Sequence, residues 1–457
     1  MRRLTEAICL GILFLLITPR EGSSQEGPFS RKMKKEMTGR VVEACKHAWE
    51  GYRKYAWGFD DLRPLTKNGR NWYKQSVLMS PVDAFDTFLI LGMKKEAAEA
   101  KELILSQLSF DADNDVQVFE IVIRLLASLQ TAYEMDGDPR FLTLAKDLAD
   151  RLMPAFETPT GIPYRYVHLQ TGKTRDALNN PAEIGTLMME FGKLSKLTGN
   201  PQYYQAAKKA ILAVYERRSK IGLVGEQINA LTGEWTRTVS HVSGMIDSYY
   251  EYLYKSWLLF GDPEFKSAWD LHEAAIKKYL VRKMPQGWFM AQVDMNTGAE
   301  KSTHYGALDA FYAGLTAYSG DISTAKEMQR GNYYMWTRFG IEPEVFDFRT
   351  DSVLYASYVL RPENLESCFY LYRFTGENRY LHMGKRMIDD IITHCRTDAG
   401  FASLKSVITR EKSNGMESFL FGETFKYAYL LFAPHSALDL SRVVLTTEAH
   451  PFKIEKR

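Results

Sequence analysis

Four carboxylates stand at similar distances ahead of four glycine-containing turns. Glu120 lies 17 residues before Gly137, Glu183 16 before Gly199, Asp247 14 before Gly261 and Glu363 13 before Gly376. Their settings are apolar or aromatic: Val118-Phe119 and Ile121-Val122-Ile123 flank Glu120, and Met245-Ile246 and Tyr249-Tyr250 surround Asp247. A carboxylate in such company is poorly solvated unless it has a partner. Acids gathered in a pocket suit glycoside hydrolysis, where one carboxyl protonates the leaving oxygen and another activates water. The plainer reading of any one of them is an acid favoured by the dipole at a helix start. The sequence has no phosphate loop, dinucleotide fingerprint, nucleophile elbow or His-Glu-x-x-His. Its nine His are scattered, and His241, His304 and His450 read as structural.

The elements that must carry these acids follow from the turns. Gly137-Asp138-Pro139, Gly199-Asn200-Pro201 and Gly261-Asp262-Pro263 recur 62 residues apart, and Gly376-Glu377-Asn378 is a fourth copy. Weaker copies lie at Gly92-Met93-Lys94, Gly320-Asp321-Ile322 and Ala433-Pro434. Glycine ends one helix in the left-handed region; the polar residue and proline open the next. Phe119, Ile123, Leu126 and Leu129 form one helical stripe, as do Leu142, Ala145, Leu148 and Leu152. About seven turns of this kind predict an all-α chain of helical hairpins, either an open solenoid or a closed toroid. The apolar, β-branched Val443–Thr447 segment suits insertion into a closed barrel better than a solenoid cap. In such a barrel equivalent helices point the same way, so all four acids share one mouth.

The chain has 457 residues, 45% hydrophobic and 25% charged, with net charge +2 and no basic run. That balance argues against a nucleic-acid partner. Arg2-Arg3 followed by the apolar stretch 7–17 reads as a secretory signal over residues 1–25, short for a membrane span, with an uncleaved membrane anchor as the other reading and 26–457 as one domain. Four Cys, of which Cys9 falls in the signal, do not make a disulfide framework. There is no Asn-x-Ser/Thr sequon and no C-terminal retention signal, which favours a periplasmic or secreted protein over a resident of the ER lumen. The sequence carries no signal of oligomeric state.

Five blocks in order resemble glycoside hydrolase family 47, the class I α-1,2-mannosidases, as a bacterial-type member. They are the segments 118–124 (VFEIVIR), 247–253 (DSYYEYL), 360–367 (LRPENLES), 416–427 (MESFLFGETFKY) and 447–451 (TEAHP). The resemblance covers about residues 34–454. It implies an (αα)7 barrel and exo-acting, inverting, calcium-dependent hydrolysis of terminal α-1,2-linked mannose from high-mannose N-glycans, glycoproteins or α-mannan fragments. Carried onto this chain, it makes Glu120 the general acid, acting through a water, with Asp247 and Glu363 the other catalytic acids and Glu363 the base. Arg124 would hold Glu120, and Arg361, Glu366, Phe419, Glu423 and Glu448 would line the terminal-sugar subsite, with Glu417 a further candidate. Thr447 would bind Ca²⁺ through its hydroxyl and carbonyl oxygens, with waters completing the shell.

One departure bears on specificity. An Asp-His pair usual in the family reads Gly306-Ala307 here, before Leu308-Asp309-Ala310-Phe311. Asp309, nearly one turn later, is weighed as a partial substitute or as a packing residue. A usual eukaryotic disulfide is lost because its Cys falls at Ala310. Two other readings stay open: a mannosidase-like lectin that holds glycans without cleaving them, and another α/α-barrel carbohydrate enzyme such as an (α/α)6 hydrolase or a sugar epimerase.

Overall fold

The structure is a computed structural model and describes residues 27–454. The proposed signal, 1–25, and Cys9 lie outside the described residues. No helix among the described residues is long and apolar enough to cross a membrane.

Among the described residues, fourteen helical runs alternate between two rings. The outer ring holds α1 (Arg31–Tyr55), α3 (Lys94–Gln107), α5 (Pro139–Leu152), α7 (Pro201–Glu216), α9 (Pro263–Tyr279), α11 (Ile322–Phe339) and α13 (Arg379–Cys395). The inner ring holds α2 (Met79–Ile90), α4 (118–136), α6 (181–198), α8 (Asp247–Phe260), α10 (308–318), α12 (Glu363–Thr375) and α14 (420–432). Each inner helix packs on the next. α14 returns to α2, and α1 covers α14 from outside, so the two ends of the chain close an (αα)7 barrel. The inner helices are buried nearly all round, and outer helices such as α5 bury one face.

The turns form as the glycine spacing predicts. Gly137, Gly199, Gly261 and Gly376 cap inner helices at φ of 86°, 73°, 74° and 69°. The side chains of Asp138, Asn200 and Asp262 then each accept from the second amide of the following outer helix at 3.1 Å. The seventh turn, after Phe432, starts only a single 3₁₀ turn, His435–Ala437; it leads to a β-hairpin, and α1 supplies the missing outer partner.

The longer connections, from outer helix to next inner helix, carry strands of two to four residues that periodicity alone does not reveal. Their pattern repeats. The strand just before one inner helix pairs antiparallel with a hairpin from the following connection: 115–117 with 166–168 and 174–175, 178–179 with 227–229 and 235–237, 239–240 with 292–294 and 300–302, and 304–306 with 345–347 and 352–355. These sheets staple neighbouring connections together where the inner helices begin.

Val443–Leu445 pairs with Pro451–Lys453 and fills the barrel axis, the plug expected of this segment. Its foot sits near the far ends of α4 and α6: the Lys453 amide donates to Glu134 at 3.3 Å, and its carbonyl accepts from Lys193 Nζ at 3.2 Å. Its tip, Thr446–His450, reaches toward the helix starts. Cys45, Cys368 and Cys395 are buried free thiols. None of the three is therefore expected to react with a bulky disulfide reagent in the native protein, and all three should react in guanidinium, as peptide mapping after labelling will show.

Candidate active site

The inner helices begin around a cavity of about 310 Å³. Ten of the eleven residues assigned by resemblance line it: Glu120, Asp247, Glu363, Arg124, Arg361, Glu366, Phe419, Glu423, Thr447 and Glu448; Glu417 is not among its lining residues. Glu183 and Glu251 join them, which sets eight carboxylates against two arginines.

The backbone delivers these groups in strained ways. Asp247 and Glu363 are the first residues of their helices. Just upstream, Met245 and Leu360 hold left-handed φ of 78° and 69°, conformations that cost about 1–3 kcal/mol each without glycine. Both are pinned by their carbonyls: Met245 O accepts from Ala182 N at 2.9 Å, and Leu360 O from Thr424 Oγ1 at 2.7 Å. Two π-helical turns carry Arg124 and Glu423: Val122–Leu126 interrupts α4, and Leu420–Thr424 opens α14. The first corrects the single stripe read from sequence. Phe119 and Ile123 line the cavity, whereas Leu126 and Leu129 lie in the core, because the wider turn offsets the face.

Each arginine serves several acids. Arg124 donates through Nε to Glu120 at 3.0 Å and through Nη1 to Glu448 at 2.8 Å, and stands 3.8 Å from Asp83. Arg361 holds Glu344 at 2.8 Å and approaches Glu363 at 3.7 Å. Both guanidinium groups sit over the Phe419 ring, 5.5 and 5.8 Å from its centre, so the ring face meets positive charge. Glu183, by contrast, is clamped by both arms of Arg165 at 2.8 and 2.7 Å, a bidentate pair at the edge of the site.

Burial dominates the electrostatics. It pushes Glu363 up to about 8, with Arg361 pulling the other way and Glu344 and Asp247 adding repulsion. It pushes Asp247 up to about 7, against hydrogen bonds from Ser248. Glu366, Glu423 and Glu448 rise for the same reason and through neighbouring acids, Glu251 and Glu363 acting on Glu366, Glu448 and Glu363 on Glu423, and Asp83 and Glu120 on Glu448, opposed by Lys255 and Arg124. The site holds more carboxyl groups than its two arginines can pair, and burial favours the neutral form of several of them.

Several groups at or beneath the site escaped the sequence reading. Asp83 and Asp86 on α2 are fully buried beside His450 and Lys426. Their signal was the one used for Glu120: acids inside an apolar run, Val82-Asp83-Ala84-Phe85-Asp86. Glu190 is buried at the hydroxyl of Tyr252, 2.6 Å away. His241 and His450 are structural as expected, His241 lying 2.9 Å from Glu226.

Asp309 does not stand in for the missing acid. It is buried, its Oδ2 accepts from the Gly306 amide at 2.9 Å, and it is not among the cavity's lining residues. Gly306 lies in a strand, where a Cβ would meet the Glu344 carbonyl oxygen at 1.9 Å. The backbone therefore has no room for the usual acid. Gly306→Asp should lower the melting temperature by several degrees and shift the strands around 345; an unchanged melting curve would contradict this packing.

The raised carboxyls make a second prediction. A group raised in the folded state stabilises it below the unfolded pKa of about 4.3, and that contribution is lost as pH rises through the folded value, about 8 for Glu363. With chelator present, Glu363→Gln should melt like the parent near pH 5 and increasingly above it toward pH 8.5. A difference that does not change with pH would refute the raised value.

Residues 44–454 match the model of glycosyl hydrolase family 47. The chain is 34% identical to ER degradation-enhancing alpha-mannosidase-like protein 1 of Schizosaccharomyces pombe, over 89% of this chain and 55% of the relative, so it spans little more than half of that protein. It is also 34% identical to a mannosyl-oligosaccharide 1,2-alpha-mannosidase of Arabidopsis thaliana, over 93% of this chain and 80% of the relative. The solved alpha-1,2-mannosidase from Trichoderma reesei superposes with a TM-score of 0.85 at 29% identity, over 92% of this chain and 99% of that one. With its family model matched over nearly the whole chain and its barrel shared, the chain belongs to glycosyl hydrolase family 47.

Proposed function

We propose that this chain is an exo-acting, inverting, Ca²⁺-dependent α-1,2-mannosidase that removes terminal mannose from high-mannose N-glycans or α-mannan fragments. The observation that carries the reading is the cavity itself. It is closed below by the plug, lies at the small end of the roughly 300–1,000 Å³ usual for ligand sites, and brings Glu120, Asp247 and Glu363 to one place. A blind pocket of this size suits one terminal sugar, and the relatives' names supply mannose and the α-1,2 bond.

The residues divide the work as follows. Glu120, ion-paired to Arg124 and partly open to solvent, supplies the proton to the leaving oxygen through a water. Glu363, with one carboxylate oxygen, Oε2, lacking any hydrogen-bond partner, takes the proton from the attacking water. Asp247 faces the same cavity from the start of α8. Arg361 keeps Glu363 oriented, and Phe419 offers an apolar face to the sugar ring.

The donor set fits a hard cation. Thr447 is partly exposed in the cavity, and Glu363, Glu366, Glu423 and Glu448 line the same space. An ion held by Thr447 oxygens and water within this ring of carboxylates would have the all-oxygen shell that Ca²⁺ takes. Bound there, Ca²⁺ would favour the ionised form of the surrounding carboxyls and bind sugar hydroxyls. A secreted or periplasmic location, from the signal read in residues 1–25, belongs to the same proposal.

The lectin reading drew on the altered Gly306-Ala307 pair. Neither residue lines the cavity, and the acids are complete, which supports hydrolysis over simple binding. Incubation of purified protein with α-1,2-mannobiose, followed by NMR, should give β-mannose first with calcium and none with excess chelator. Glu120→Gln and Glu363→Gln should each lower kcat by about 10²–10⁴-fold while keeping the fold. Near-parental turnover in either variant, or α-mannose as first product, would overturn the assignment.

A further inference from the structure

The hairpin tip that presents Thr447 and Glu448 is gripped from two sides by groups that have no part in the chemistry above. On one side Lys426 of α14 donates to Asp86 Oδ2 at 2.8 Å and to the carbonyl of Ala449 at 2.9 Å. His450 lies between two acids of α2, with Nδ1 3.2 Å from Asp86 Oδ2 and Nε2 3.2 Å from Asp83 Oδ1. Lys426, Asp83, Asp86 and His450 are all 0% exposed. On the other side the Thr447 amide donates to the Tyr252 hydroxyl at 3.2 Å, and that hydroxyl donates to the buried Glu190 at 2.6 Å.

This is an unusual way to hold a turn. Charges taken wholly out of water lose hydration that their mutual attraction only partly returns, and apolar side chains of the same volume often stabilise as well or better. What such a cluster does supply is a defined geometry, because each group must meet its partner. The tip needs one. Ala449 sits at φ 60°, and the carbonyl of that strained residue is the one Lys426 captures. Arg124 reads the result, reaching Glu448 at 2.8 Å and standing 3.8 Å from Asp83.

We propose that the Lys426–Asp86–His450 cluster and the Tyr252–Glu190 pair are positioning elements that fix the Thr447–Glu448 turn, so that they set cation affinity at Thr447 and the placement of Glu448 against Arg124. The affinity part rests on the calcium reading above; the placement of the turn does not. The two grips act on Ala449 and Thr447, one on each side of Glu448, from α14 and α8 on different sides of the barrel, so neither substitutes for the other.

The test uses the full chain with Tyr252→Phe, which deletes one oxygen, and Lys426→Met. Lys193→Met serves as a control at the hairpin's foot, where Lys193 contacts Lys453 O and Glu134 but not the tip. Amide hydrogen exchange over 446–450, calcium Kd by calorimetry, kcat and KM are read for each. Both tip variants should exchange faster at 446–450, weaken calcium by about 10–100-fold, as loss of a ligand-orienting partner does, and lower kcat more than KM. Lys193→Met should melt earlier with parental tip exchange and Kd. Glu190→Gln, which keeps an acceptor for the Tyr252 hydroxyl, should stay near the parent. If Lys426→Met does not fold, Tyr252→Phe alone decides. If the parent binds no calcium, the cation reading fails and tip exchange still decides this proposal. Parental exchange and kcat in Tyr252→Phe would overturn it.

Discussion

The structure depends on making a crowd of buried carboxylates tolerable. Eight of them face one cavity, and burial alone drives several toward neutrality. The compensations radiate outward in shells. Arg124 and Arg361 are shared among acids rather than paired one to one, Lys255 answers Glu251 and Glu366 from below, and Asp83, Asp86, Lys426 and His450 form a further layer. Each layer holds the previous one in place, so much of the barrel's interior near the helix starts is polar scaffolding for the cavity rather than ordinary apolar core.

The barrel topology makes that arrangement reachable. Seven parallel inner helices place seven N-termini round one opening, and the positive ends of their dipoles favour the acids that cluster there. A ring of this width would leave an axial void, and the C-terminal hairpin occupies it. The hairpin does more than fill space, since it brings Thr447 and Glu448 to the floor of the cavity from the opposite end. The stapled connections around the mouth then hold the helix starts in register with one another.

Much of this was legible in the residues. The glycine turns fixed the hairpin count and direction, because positive φ and an N-cap side chain are chemical demands visible at single positions. The acids' distances from those turns placed Glu120, Glu183, Asp247 and Glu363 each near the start of its own helix, and barrel closure then brings them to one mouth. The rest was not legible for specific reasons. Strands of two to four residues are too short for alternation to register. The π turn in α4 moves Phe119 and Ile123 off the stripe that regular spacing gives them. Asp309 could be weighed but not placed, because its role depends on how closely the Gly306 backbone approaches Glu344. The roles of Thr447 and Glu448 came from the family resemblance alone.

Ring closure by the two ends of the chain has a kinetic consequence. Arg124 meets Glu448 across 324 residues, Lys426 meets Asp86 across 340, and α1 packs on α14. During synthesis the first helices emerge long before their partners exist, and the apolar inner faces of α2 and α4 wait uncovered. Contacts so distant in sequence slow folding and lengthen exposure to aggregation. No fragment that stops short of the hairpin can complete the cavity, so loss of the last few dozen residues removes the site along with the seal of the ring.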